Sequence, residues 1–251
     1  MELFKSDDCT LVVGDTHIAP DQNLSRATIL GKAIADIKPA RVVFIGDLLT
    51  FDSLSAWDHD KRKKMEGRRY QKDIDSGRRF LDLMYKAMGN ASPDFVLTEG
   101  NHEDRLWRYL DIDPIFAEKA DYAVDLEIDW WDIVPYKEYW YHKGVGFTHV
   151  PINGMGRPVT GDNACKSSVM LCNHSVIFGH THKLSYSSLH RHGSRHLTQA
   201  LNVGCYFEHI DEYAAGSMHS YWRGLVVIDH FNTGEFNYSP VRLSKLKKVY
   251  G

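Results

Sequence analysis

The stretch FVLTEGNHEDR, residues 95–105, carries an apolar run straight into Gly, Asn, His and Glu. Phe95, Val96 and Leu97 suit a buried strand. The residues that follow neither extend a core nor close a two-residue hairpin. Gly100 permits a sharp turn, which leaves Asn101 and His102 as polar side chains at the open end of the strand.

Working outward, the same pattern recurs. CTLVVG (9–14) runs into Asp15 and His17, and RVVFIG (41–46) runs into Asp47. KGVGFT (143–148) ends in His149, and SVIFG (175–179) ends in His180 and His182. Alternate residues of an extended chain point to one side, so Asp-x-His and His-x-His each aim two donors at one place. Carboxylates with neutral imidazoles suit Mn, Fe, Zn, Ni or Co, and softness alone does not choose among them. One carboxylate shared by two ions would hold them about 3.5–4 Å apart, as in two-metal hydrolases. Taken singly, Gly-Asp after a strand is more often a turn or a helix cap than a ligand. All five groups, each after a strand, leave little room for that reading.

The segments between the strands read as helices. SRATILGKAIADIK (25–38) has Ile29, Leu30, Ala33, Ile34 and Ile37 at helical spacing, and Pro39 stops it. Leu81, Met84, Tyr85 and Met88 form a second stripe, closed by Gly89-Asn90. EDRLWRYLDIDPIFAEKA (103–120) is a third helical stretch. The first strand–helix–strand unit favours parallel strands with ligands at their C-terminal edge. Beyond residue 130 strands and loops take over, including QALNVGCYF, RGLVVIDHF and YSPVRL, which suggests an antiparallel or mixed sheet. No repeat, low-complexity tract or Gly/Ser linker divides the chain, so residues 1–251 are expected to form a single domain.

At 43% hydrophobic and 25% charged residues the composition is that of a globular protein, and a net charge of −3 excludes a polycation built to coat nucleic acid. The four cysteines form no C-x-x-C pair and read as reduced thiols. Neither a signal-peptide pattern nor an apolar span is visible. A cytoplasmic protein without membrane attachment is the expectation.

In their order, GDTH, GD, GNHE, TH and GHTH resemble the motifs of the calcineurin-like metallophosphoesterases, over residues 14–182. The resemblance implies an α/β fold, a β-sandwich of two mixed sheets flanked by α-helices, with a dinuclear metal site at the strand ends. Carried over, Asp15, His17, Asp47 and His182 would hold one ion. Asp47, Asn101, His149 and His180 would hold the other, with Asp47 bridging and His102 as the non-ligand catalytic histidine. The implied cofactors are two divalent transition-metal ions, manganese first, with Fe, Zn, Ni, Co or Mg as the others. The implied reaction is in-line attack on phosphorus by hydroxide held between the ions. Glu103 would orient His102 or begin the following helix, and Asn101, His102 and Arg105 would be the substrate contacts. Val150 follows His149 where the family often has glycine, which leaves His142 and His174 as fallback ligands. The segment LLTFDSLS after Asp47 lacks the arginine that some protein phosphatases use.

The layout GDLLTFDSLSAWD with GNHEDRLWRYL resembles the phage and prophage members of that family. It points to a phosphodiesterase or nuclease-like enzyme acting on nucleotide or nucleic-acid diesters. The alternatives are a nucleotide or protein phosphomonoesterase and a non-catalytic metal-binding scaffold, the last disfavoured by a complete ligand set. Basic stretches at 61–79 and 190–196 are candidate contacts for a polyanion or solvated charge. Trp130-Trp131 and Tyr139-Trp140-Tyr141 are candidates for base stacking or for core packing.

Overall fold

The computed structural model describes residues 8–56, 58, 60–112, 119–209 and 220–251. Strand β1 (Thr10–Val13), helix α1 (Ser25–Ile37) and β2 (Arg41–Phe44) form the expected parallel unit. Lys38, in the left-handed region at φ 52°, turns the chain out of α1 just before Pro39. After a short helix α2 (Arg62–Met65), α3 (Tyr70–Met88) leads into β3 (Asp94–Thr98), and α4 (Asp104–Ile112) follows. The expected continuation of that helix across 113–118 lies outside the described residues.

Next come α5 (Tyr122–Asp125), β4 (Asp132–Val134), β5 (Trp140–His142), β6 (Val145–Phe147), α6 (Ala164–Leu171) and β7 (Ser175–Phe178). The chain closes with β8 (Leu184–His190), β9 (Leu197–Val203), β10 (Gly224–His230), β11 (Phe236–Arg242) and α7 (Leu243–Tyr250). Among the described residues these strands form a six-stranded sheet, β11-β10-β1-β2-β3-β4, and a five-stranded sheet, β5-β6-β7-β9-β8. Both are mixed: β1 to β4 run parallel while β10 pairs antiparallel with β1, and β6, β7 and β9 run parallel between antiparallel edges. The late strands β10 and β11 therefore return to the first sheet. Pro240 is accommodated because β11 is an edge.

Period-two alternation builds the layers. Val12, Val43, Ile45 and Val96 face the second sheet, where Val145, Phe147, Ile177, Leu201 and Val203 meet them. Their neighbours Leu11, Val13, Val42, Phe44, Phe95 and Leu97 face outward onto Leu30 and Ile34 of α1 and Phe80 and Met84 of α3. On the far side Val176, Phe178 and Ala200 pack against Ala164, Cys165 and Val169 of α6. The result is helix, sheet, sheet, helix, with the strand ends of both sheets free to converge. All four cysteines are buried free thiols. No described helix is long and apolar enough to cross a membrane.

Most of the aromatic candidates pack. Trp131 stacks between Phe44 and Phe95, and Trp140 lies against the core between the sheets, whereas Trp130 and Tyr141 are exposed.

Candidate metal centre

Parallel pairing sets the C-terminal ends of β1, β2 and β3 side by side, and those of β6 and β7 opposite them. The loops leaving these ends are locked to one another. The N–H groups of Thr16 and His17 both donate to Asp47 O, at 3.1 and 2.8 Å, and Gly179 N–H donates to His149 O at 3.0 Å. His17, Asp47, His180 and His182 all take positive φ, from 44° to 68°. Such backbone costs on the order of 1–3 kcal/mol per residue and persists only where the surroundings enforce it, which is common at functional sites. Close approach also fixes two glycines. A Cβ on Gly100 would lie 2.1 Å from Asp47 Oδ1, and one on Gly179 would lie 2.2 Å from Asp15 Oδ1.

The side chains converge as two groups sharing one atom. In the first, Asp15 Oδ2 lies 3.0 Å from His182 Nε2, His17 Nε2 lies 3.2 Å from His182 Nε2, and Asp47 Oδ2 lies 3.6 Å from His17 Nε2. In the second, the same Asp47 Oδ2 lies 3.4 Å from His149 Nε2, which is 3.1 Å from His180 Nδ1 and 3.2 Å from Asn101 Oδ1. The remaining atoms are tied off behind. Asp47 Oδ1 accepts from His102 N–H at 2.9 Å, His149 Nδ1 donates to Ile45 O at 2.9 Å, and both Asp15 oxygens accept from His180 N–H. Such outer partners fix the tautomer and aim the free lone pair inward.

This donor set fits divalent ions. Imidazole nitrogens bound to one ion at about 2.0–2.1 Å come to rest roughly 3 Å apart, which matches the His17–His182 and His149–His180 separations. Burial and the neighbouring His102 hold His17 well below the usual imidazole range, and burial with His149 brings His180 to about 4, so both are neutral donors near pH 7. Burial opposes ionisation of Asp47, but the surrounding imidazoles, His149 first, hold it below the usual carboxylate range.

His102 lies beside both groups. Its Nδ1 donates to Thr50 O at 2.6 Å, while Nε2 stands 3.9 Å from Asp47 Oδ2 and 3.3 Å from Arg105 Nη2. His102 also forms, with His17 and Asp47, a third cluster compact enough to hold an ion. Arg105 is engaged by the carbonyls of Thr50 and Phe51 and lies 3.7 Å from Asp52 Oδ1. Glu103 does not orient His102. Its carboxylate accepts the N–H groups of Asp47, Leu49 and Gly100, and the helix begins one residue later at Asp104.

The fallback histidines are elsewhere. His142 pairs with Asp8 and Arg41 near the start of β2, and His174 packs its ring on Tyr139 and Tyr141 before β7 begins. Sequence reasoning missed the wall of the site. Phe207 lies edge-on to His17 and His182 at 5.0 and 5.1 Å, and Tyr221 stands 4.6 Å from His182. His209 is also close, its ring 6.5 Å from that of His17. A histidine two residues past CYF was the available signal.

The basic stretches differ in their relation to the site: Arg68 donates to Asp52 O at 3.1 Å, beside Arg105, whereas residues 190–196 lie away from it. Arg68 and Lys61 pair with Asp58, and Arg78 lies 3.5 Å from Glu127. Strand β8 carries the chain away from His182, so the 190–196 hairpin lies at the far end of seven residues, over ~20 Å at the usual rise. Arg191 there donates to the carbonyls of Val169 and Cys172.

The sequence profile of the calcineurin-like phosphoesterases matches residues 10–184. The chain is 26% identical over 179 residues to the Gene 54 protein of Mycobacterium phage L5, spanning 69% of this chain and 68% of that protein. It is 27% identical to the Gene 54 protein of Mycobacterium phage D29, with the same coverage. Among solved structures, Vps29 of Chaetomium thermophilum aligns over 93% of this chain and 97% of its own at 13% identity and a TM-score of 0.42.

Proposed function

Because the chain belongs to the calcineurin-like phosphoesterases, metal-dependent hydrolases of phosphoesters, we propose that it cleaves phosphodiesters of nucleotides or nucleic acid with two divalent ions, manganese first among them. The observation that carries this reading is the sharing of Asp47 Oδ2 between two donor groups, 3.6 Å from His17 Nε2 and 3.4 Å from His149 Nε2. Asp15, His17, Asp47 and His182 would hold one ion, and Asp47, Asn101, His149 and His180 the other. Ions held there polarise phosphoryl oxygens and acidify water. Residues from both sheets contribute, so the chain works as one domain, in the cytoplasm.

The protein's own groups orient the ester and handle the proton. His102 has Nδ1 fixed on Thr50 O, which leaves Nε2 facing the cluster. Burial lowers its pKa against the pull of the Asp47 carboxylate, so the negative charge of a bound ester would have to favour the proton that Nε2 then delivers to the leaving oxygen. Asn101 offers a neutral oxygen and limits the negative charge gathered at the site. Two arginines beside the site are already engaged, Arg105 by Thr50 and Phe51 carbonyls and Arg108 by Asp104 at 2.9 Å. A singly charged diester asks less of them than a doubly charged monoester, which supports the diester. Hydrolysis of bis-p-nitrophenyl phosphate and p-nitrophenyl phosphate, with Mn²⁺ and after chelation, tests the reading. Higher kcat/KM on the diester is expected, and preference for the monoester would replace it with a phosphomonoesterase.

A further inference from the structure

Glu99, the first residue of EGNHEDR, takes no part in the donor cluster. Glu99 is 4% exposed, and its carboxylate accepts from the Trp107 indole N–H at 2.9 Å and from the Tyr122 hydroxyl at 2.7 Å. Burying a carboxylate is unfavourable unless donors satisfy it, and one of these donors, Trp107, is an aromatic residue on the surface while Tyr122 is buried. Trp107 remains 38% exposed although its edge is pinned, so it presents a fixed face to solvent. Trp107 and Tyr136, with Ile133 and Pro135, line an open surface cavity of about 440 Å³ whose polar side is formed by Glu99 and Asp104. That volume falls within the roughly 300–1,000 Å³ of small-molecule sites.

Tyr136 joins this cavity to the metal centre. It follows β4, at the same C-terminal strand edge as Asn101, and its ring centroid lies 6.2 Å from that of His149. Both acidic side chains of the cavity disfavour an anion, and Arg108, the cation beside Asp104, is paired with it. With the phosphate of a nucleotide ester on the donors, the part that can extend along Tyr136 into this cavity without meeting that repulsion is its uncharged, planar base.

We propose that this cavity is the subsite for the nucleobase of the substrate, stacked on Trp107 and Tyr136, with Glu99 as the positioning residue for Trp107. The proposal rests on the nucleotide-diester reading for the identity of the ester. Stacking on an aromatic platform tolerates any base and is strengthened when the platform is held rigid.

Adenosine, which carries no phosphate, tests the subsite apart from metal and hydrolysis. Titrated into metal-free protein, it is expected to quench tryptophan fluorescence saturably, with most of that quenching absent in Trp107→Phe. Its Kd should rise about tenfold in Tyr136→Ala and about fivefold in Glu99→Gln. No saturable quenching, or equal quenching in wild type and Trp107→Phe, would overturn the proposal. With Mn²⁺ present, Trp107→Ala should lower the kcat/KM ratio of thymidine 5′-p-nitrophenyl phosphate to methyl p-nitrophenyl phosphate about tenfold, and an unchanged ratio would also overturn it. Failure of the wild type to cleave any diester, with quenching intact, would remove the diesterase reading and leave the base site standing.

Discussion

Glu103 reaches from the loop after β3 to the loop after β2, where its carboxylate accepts the backbone N–H of Asp47 at 2.9 Å. It also accepts from Leu49 at 3.2 Å and Gly100 at 2.8 Å, and so ties two donor loops together without being a donor. Burial and the Asp47 charge push its pKa up, against those N–H groups. Glu103→Gln would set an amide NH₂ against at least one of them. A loss of about 1–3 kcal/mol in stability is expected, with metal affinity weakened roughly 10–100-fold. Urea midpoints and calorimetric metal titration read the two effects, and an unchanged metal Kd would show that the loops hold without this clamp.

Asp47 and His102 separate ligand from proton donor. Asp47→Ala removes the oxygen common to both groups, so bound metal should fall from two ions per chain to below one by elemental analysis. His102→Ala should keep both ions and lower kcat by about 10²–10⁴. Since His102 also lies within donor distance of His17 and Asp47, metal loss in His102→Ala would make it a ligand.

The donors were legible because each interrupts an apolar run at the end of a strand, and an extended chain there would project alternate side chains together. Asp15 and His17 do fall in one group, but His180 and His182 part to different groups, because His17, His180 and His182 lie past the strand ends at positive φ, where the pleat no longer sets direction. The buried strands and α1 followed from their periodicities. Contacts with backbone left no such trace: nothing in Leu49 or Gly100 advertises that Glu103 will accept their N–H groups. Long-range pairing was equally silent, since Val226 of β10 could not be matched to Val12 of β1 from local pattern. Strand β8, LSYSSLH, is too polar to announce itself, because its outer face meets solvent.

Asp73, near the start of α3, is 2% exposed and accepts from Ser53 Oγ at 2.5 Å. Burial raises its pKa to about 6, with the Ser53 bonds acting the other way. A carboxyl raised in the folded state stabilises below its unfolded pKa of about 3.9, and that stability is lost as pH rises through the folded value. The wild type should therefore lose up to ~3 kcal/mol relative to Asp73→Asn between about pH 4 and 6. Urea midpoints of both proteins across that window check it, and parallel curves would place the titration elsewhere.

Gly179 follows β7, and an added Cβ there would lie 2.2 Å from Asp15 Oδ1 and 2.7 Å from Ile45 Cγ2. Asp15 has no freedom to yield cheaply, because both its oxygens accept from His180 N–H at 3.1 and 3.0 Å and Oδ2 lies 3.0 Å from His182. Gly179→Ala must therefore move either that carboxylate or the backbone that aims His180 and His182. The fold has other support, but the first donor group does not, so loss of one ion and at least a tenfold fall in kcat/KM are expected, roughly 1.4 kcal/mol or more in the barrier. Gly154→Ala, where an added Cβ meets nothing within 4 Å, is the matched control. If Gly179→Ala binds two ions with wild-type affinity, Asp15 is not held where the first group needs it.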